Sequence, residues 1–142
     1  ASFDRTSYEI REKCAEYTGT SAGMHTAAAG VYLATMGPEG MKDVGELIMH
    51  RCAYAKNRFA KIPGVKVKLS GVSFKEFVAD FSDTDKTVGY VNAKLLEKNI
   101  IGGFDLTNVY DGMDNCMLVC VTEIHSKGDI DKLVSAICEI IG

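Results

Sequence analysis

The chain has no tryptophan, two prolines and only four arginines and three histidines among its 142 residues. His25, His50 and His125 are dispersed, and none stands beside a carboxylate at the spacing of a metal-ligand set. The five cysteines (Cys14, Cys52, Cys116, Cys120 and Cys138) contain no C-x-x-C pair, so neither a zinc site nor a thioredoxin-type redox pair is signalled. Cys116 and Cys120 fall four apart on an expected strand, roughly 13 Å at ~3.3 Å per residue, too far to share a metal or a disulfide. Most of the cysteines sit among apolar residues, where a reduced thiol behaves as a small hydrophobe, and the expected compartment is the reducing cytoplasm. No apolar run approaches the roughly 18 residues that would span a membrane, and Ala1 to Tyr17 lack the basic and apolar regions of a signal peptide. A net charge of −3 argues against nucleic acid or an anionic membrane surface as the main partner.

What is present is the material of one soluble domain, with 46% hydrophobic and 25% charged residues. Residues 1–19 are polar and irregular and read as a connector arriving from a large domain upstream; residues 20–142 read as a small domain of their own. Thr20 or Ser21 can cap a first helix. Its stretch from Met24 to Met36 is rich in small residues (Ala27, Ala28, Ala29, Gly30), which predicts a helix sandwiched between neighbours rather than lying on a surface. Gly37 stops it, and Pro38 opens the next helix where a missing N–H costs nothing. In that second helix Met41, Val44, Ile48, Cys52, Ala55, Phe59 and Ile62 recur at intervals of three and four, one continuous apolar stripe ending at Pro63-Gly64.

Beyond Pro63 the period falls to two. Val65, Val67 and Leu69 alternate with Lys66 and Lys68, predicting a half-buried strand with a solvated lysine face, and Phe77, Ala79 and Phe81 predict a second. A helix is expected from about Asp85 to Lys98 with Val88, Val91 and Leu95 inward. Ile100 to Phe104 is a short extended piece with a glycine turn, and Cys116 to Val121 is an apolar run read as a central strand covered on both faces. Ser126 to Asp129 has the form of a capping box, opening a last helix with Ile130, Leu133, Val134, Ile137 and Ile141 inward. The fold class expected is therefore α+β: a two-layer small domain with helices packed on a small, mostly antiparallel sheet.

No complete catalytic set emerges. Gly102-Gly103 with Asp105 is a weak phosphate loop, since no helix N-terminus or basic residue follows, and a simple turn is the better reading. Arg51 and Arg58 lie off the apolar stripe and are expected to be solvated; Arg11 stands in the connector, where a surface role outweighs an approach to a site.

Several segments in order resemble one family. Arg11-Glu12-Lys13, Val31-Tyr32-Leu33-Ala34 and Met36-Gly37-Pro38-Glu39-Gly40-Met41 resemble its R-E-K, V-Y-L-A and G-x-E-G-L stretches. Ile62-Pro63-Gly64, Glu76-Phe77-Val78, Gly102-Gly103-Phe104-Asp105-Leu106 and Leu118-Val119-Cys120-Val121-Thr122-Glu123 follow at matching distances. The family is subunit 1 of glycine dehydrogenase (decarboxylating), the P-protein of the glycine cleavage system. After R-E-K that family runs A-T-S-N-I-C-T-N-Q, whereas Cys14 to Ala22 here keep only the threonine, at Thr20.

The resemblance implies the C-terminal small domain of a fold-type I pyridoxal phosphate enzyme. The whole enzyme decarboxylates glycine and passes the aminomethyl group to the lipoyl arm of the H-protein, with the cofactor lysine carried by subunit 2. The implied partners are the upstream large domain, subunit 2 and the lipoyl H-protein. No lysine here, Lys13, Lys86 and Lys94 included, is flanked by a serine and glycine-rich phosphate cradle, so the fragment is expected to bind no pyridoxal phosphate and to carry no catalytic residue. Arg11, Glu12, Lys13, Thr20, Gly102, Gly103 and Asp105 are the candidates for an interface or an approach to an active site. Two alternatives stand beside this one. The small domain of another fold-type I enzyme, aminotransferase-like, often carries a carboxylate-binding arginine after its last strands, and no arginine follows Arg58. A free-standing ligand-binding or regulatory module is the other.

Overall fold

The computed structural model of the chain describes residues 23–142. A boundary between two compact units falls between Met41 and Lys42. Helix α1 (Gly23–Phe59) is helical on both sides of Gly37, whose φ of 61° and ψ of −176° break the helical geometry just before Pro38. Only glycine adopts that backbone freely, which is why the sequence signal for two helices meeting at Gly37-Pro38 is met by a kink there. From Gly23 to Thr35 every residue is exposed, Met24 at 89% and Val31 at 67%. The sandwiched position expected for this stretch is therefore not provided by the described chain.

From Lys42 onward the stripe read from the sequence finds its core. Ile48, Cys52, Ala55, Phe59 and Ile62 are buried, while Val44 is half-buried and Met41 exposed at the other end of the stripe. The sheet that receives them has four strands: β1 (Lys66–Lys68), β2 (Glu76–Asp80), β3 (Phe104–Asp105) and β4 (Cys116–Cys120). They lie in the order β1-β2-β4-β3, every neighbouring pair antiparallel. Phe59 meets Phe77 edge to face, ring centroids 5.2 Å apart, so α1 is seated on the middle of β2. Helix α2 (Val88–Glu97) adds Val88, Val91 and Leu95, the three residues its spacing predicted, and α3 (Lys127–Ile141) adds Ile130, Val134 and Ile137. Strand residues Phe77, Ala79, Met117 and Val119, with Val121 just past the end of β4, complete this core.

The opposite face of the sheet is covered differently from the expectation for β4. Only a small cluster of Val78, Leu106 and Cys116, with Met113 and Leu118 against it, packs there, and Cys120 at the strand's end is exposed. β4 is central but fully covered on one face alone, because no helix crosses the second. β1 is also shorter than its alternation suggested. Leu69 takes φ 65° and leaves the ladder 62% exposed. Its lysines are not a free solvated face either: Lys66 pairs with Asp83, and Lys68 Nζ lies 3.3 Å from Asp80 Oδ2 and 2.8 Å from the Gly112 carbonyl.

Side-chain ties fix the helix ends. α2 starts at Val88, three residues later than expected, because Thr87 is its N-cap and accepts from Tyr90 N at 3.2 Å. Asn115, at φ 52°, reinforces that end: its Oδ1 accepts from Val88 N at 2.8 Å and its Nδ2 donates to Lys86 O at 3.1 Å. The capping box at Ser126 and Asp129 forms in both directions. Arg51 and Arg58 depart from the solvated reading. Arg51 Nη1 donates to the Glu123 carbonyl. Arg58 Nε lies 2.9 Å from Asp131 Oδ1, close enough for an ion pair though not aligned for a hydrogen bond. Asp131 also accepts from Tyr54 at 2.7 Å and from Lys127 at 2.7 Å, tying α3 to α1.

These ties set the acid response. Burial pulls the Asp80 carboxyl up, but hydrogen bonds from Ser82 and Lys68 outweigh it and hold the group below its ordinary range. Ser126 does the same to Asp129, and Lys127 with Tyr54 to Asp131. A carboxylate whose folded pKa lies below its unfolded value of roughly 3.9 stabilises the fold above that value and loses the contribution as pH falls through the folded pKa. The urea midpoint should therefore stay level from pH 7 to about 5 and fall below about pH 4, with Asp80→Asn flattening the acid limb. A midpoint that rises on acidification contradicts the assignment.

Candidate functional site

Of the residues singled out in the sequence, Arg11, Glu12, Lys13 and Thr20 lie outside the described residues, as do the connector 1–19 and the Cys14 to Ala22 stretch. Gly102, Gly103 and Asp105 are brought together on the short run that leads from α2 into β3. α2 ends with Asn99 at φ 56°, and Ile100 N donates to Leu95 O at 2.9 Å, which turns the chain back along the helix.

Both glycines are explained by close packing. A Cβ on Gly102 would collide with Asn92 Oδ1 and stand 3.0 Å from Leu95 Cδ1; one on Gly103 would collide with the Leu118 carbonyl and Met117 Cγ. Asn92 Nδ2 donates to Gly103 O at 2.9 Å and so clamps the turn against α2, while its buried Oδ1 has no partner. Asp105 accepts from Thr107 N at 2.9 Å, an Asx turn at the end of β3. No helix starts after the glycines, in keeping with the turn rather than the phosphate loop.

Chemistry-bearing groups elsewhere are occupied or muted. His125 Nδ1 accepts from Thr122 N at 3.0 Å, so that ring nitrogen is occupied. The four described cysteines are free. Burial pushes the thiols of Cys52, Cys116 and Cys120 up, with Glu76 adding to the rise at Cys120, so none is poised as a nucleophile. Among the described residues no lysine is buried, and no group of three His, Cys, Asp or Glu side chains is placed to hold a metal. No helix among them is long and apolar enough to cross a membrane.

One concave feature had no counterpart in the sequence reading. A cleft of about 350 Å³ opens between the end of β4, the Ile100–Gly102 turn and the start of α3, lined chiefly by Ile100, Ile101, Val119, Val121, Ile130 and Leu133. Its residues come from three separated segments, so no linear spacing announced it; exposed Ile101, directly before the paired glycines, was the only local hint.

An α+β small domain with a four-stranded antiparallel sheet and a glycine-clamped edge strand is the class these elements define. Comparison with known proteins makes it specific. The chain is homologous to part of subunit 1 of glycine dehydrogenase (decarboxylating). It is 38% identical over 93% of its length to the probable subunit 1 of Staphylococcus carnosus and 37% identical over 91% of its length to that of Thermomicrobium roseum. It spans only 28% of each of those relatives. The crystal structure of an inhibitor-bound glycine decarboxylase (P-protein) of the glycine cleavage system superimposes on 92% of the chain with a TM-score of 0.76 and 25% identity, using 29% of that protein. A C-DES variant with glycine covalently linked to its PLP cofactor matches 71% of the chain, and 24% of its own, with a TM-score of 0.60; at 16% identity that likeness shows the fold alone. No family model matches the chain.

The packing account of the glycines is directly testable. Gly103→Ala should force β3 away from β4 and lower stability by about 1–3 kcal/mol in chemical denaturation, the usual cost of overpacking. A substitution that leaves the midpoint unchanged would show that the turn has room to spare.

Proposed function

We propose that this chain is the C-terminal small domain of a glycine dehydrogenase (decarboxylating) subunit, supplying structure and subunit contacts rather than chemistry. The observation that carries the reading is the match of 93% of the chain to a 28% portion of the subunit 1 relative. In this reading residues 1–19 form a connector from the large upstream domain, and 20–142 form the small domain. The parent is a pyridoxal phosphate enzyme of the cytoplasm that decarboxylates glycine and passes the aminomethyl group to the lipoyl arm of the H-protein. When bound, the cofactor supplies the electron sink for that decarboxylation.

The described residues of this chain do not fit the cofactor's anchoring site. None of the described lysines is buried. The half-buried ones are engaged, Lys68 and Lys94 by carboxylates, Lys56 by Gly71 O and Ser73 Oγ and Lys86 over the Tyr90 ring. The paired glycines are filled by Asn92 and β4 rather than open to a phosphate. The resemblance to the two-subunit family assigns the cofactor lysine to subunit 2. Gly102, Gly103 and Asp105 keep a supporting part as an edge-strand turn near a subunit contact, and Arg11, Glu12, Lys13 and Thr20 a part in the approach. The stretch Gly23–Met36 contains no charged residue, and such a helix is ordinarily buried. The remainder of the subunit, or subunit 2, is the cover this reading assigns to it. The aminotransferase-like alternative is weakened by the absence of any arginine after Arg58.

Two results test the proposal together. Titrating pyridoxal phosphate with the 142-residue chain should leave the cofactor's absorption unchanged. Deleting the equivalent region from a full-length subunit 1 should abolish its co-purification with subunit 2 and glycine decarboxylation by the pair. An aldimine band with the isolated chain, or undiminished activity after the deletion, would overturn it.

A further inference from the structure

The end of β4 carries an open ladder position. Phe81 N donates to Asn115 O at 3.0 Å and Val121 N to Lys75 O at 2.7 Å, so the odd-numbered residues of β4 exchange their backbone bonds with β2. The even-numbered residues turn their N–H and C=O to the other side, as Leu106 N donating to Cys116 O at 2.9 Å confirms. Leu118 is matched there by Phe104, but β3 begins at Phe104, and the carbonyl of Gly103 before it is taken by Asn92 Nδ2. Opposite Cys120 there is thus no strand, and among the described residues no backbone bond reaches it from that side. The opening is short, because Thr122 N is already taken by His125.

The apolar cleft lies beside this position, at the small end of the roughly 300–1,000 Å³ typical of ligand pockets. Ile101, at its mouth, is 87% exposed. A compact apolar molecule would fill the cleft but leave the paired donor and acceptor of Cys120 unused. An extended peptide uses both. The residue facing Cys120 makes two backbone bonds, and its neighbours along the strand point to the face of Val119 and Val121, where one enters the cleft. On the outer face Glu76 stands directly across from Cys120 in the β2–β4 register, two strands (about 9.6 Å) from the incoming position, so a long basic side chain there can reach across Cys120 toward its exposed carboxylate.

We propose that this edge binds an extended segment of another polypeptide, pairing with Cys120 and seating an apolar side chain in the cleft, with a basic residue opposite Cys120. The inference does not depend on the glycine-cleavage reading and would hold for any parent.

The test uses the 142-residue chain and two blocked hexapeptides, one alternating valine with lysine and one alternating valine with glutamate. The lysine peptide should slow hydrogen exchange at the Cys120 amide, followed by NMR, and bind more tightly than the glutamate peptide. Ile101→Asp, a change at an exposed position, should weaken it by about tenfold or more without moving the thermal midpoint, since a difference of that size corresponds to one apolar anchor. Glu76→Lys should reverse the preference between the peptides. The proposal is overturned if the Cys120 amide is already protected in the free chain or stays unprotected with peptide. It is equally overturned if the two peptides bind alike, or if indole fills the cleft with the same affinity as the peptide and the peptide leaves Cys120 unaffected.

Discussion

The seating of the C-terminal half of α1 on the middle of the sheet is the contact on which the remaining elements depend. Phe59 and Phe77 meet edge to face with both rings buried, and Cys52, Ala55 and Ile62 extend the same line of contact. β2 is thereby fixed between an edge strand and β4, and β4 in turn presents Met117 and Val119, with Val121 just beyond it, to α2 and α3. Truncating such an aromatic ring typically costs about 3–5 kcal/mol, a large share of the stability of a small domain. The polar ties follow from the same seating. Tyr54 and Arg58 can reach Asp131 on α3 only because α1 lies where Phe59 places it.

A domain built this way has spent its interior on packing. Its core contains no buried charged or polar residue, its thiols are pushed up by burial, and its paired glycines are held by close neighbours. Such a body is suited to holding surfaces in register, and its unusual surfaces lie at two places. One is the uncharged helical stretch Gly23–Met36, which fits a position covered by a larger assembly. The other is the unpaired end of β4 with its apolar cleft.

Much of the architecture was legible in the residues themselves because local rules and tertiary demands coincide. The stripe of α1, the inward triad Val88, Val91 and Leu95, and the Ser126–Asp129 capping box are periodic or short-range signals, and each is where the spacing put it. The misreadings share a different cause. Leu69 leaves β1 because the backbone turns to positive φ, which an alternating V-K-V-K-L pattern does not announce. Arg58 and Asp131 are 73 residues apart, and Gly102 is explained by Asn92 and Leu95 only once α2 and β3 are juxtaposed. The cleft is assembled from three segments and has no linear signature. The four candidate site residues upstream of α1 lie outside the described structure, so their part rests on the ordered motifs alone.

The central claim is that the body from Lys42 onward is held by its own packing, whereas the exposed helix preceding Gly37 is not. Native-state hydrogen exchange on the isolated chain measures this directly, since each amide reports the free energy of the opening that exposes it. Amides of Phe77, Val119 and the Ile48–Phe59 segment should exchange only through global unfolding, and those of Gly23 to Thr35 should exchange far faster. Equal protection of the two sets would contradict the account, because it would mean that the uncharged helix is held by this chain alone.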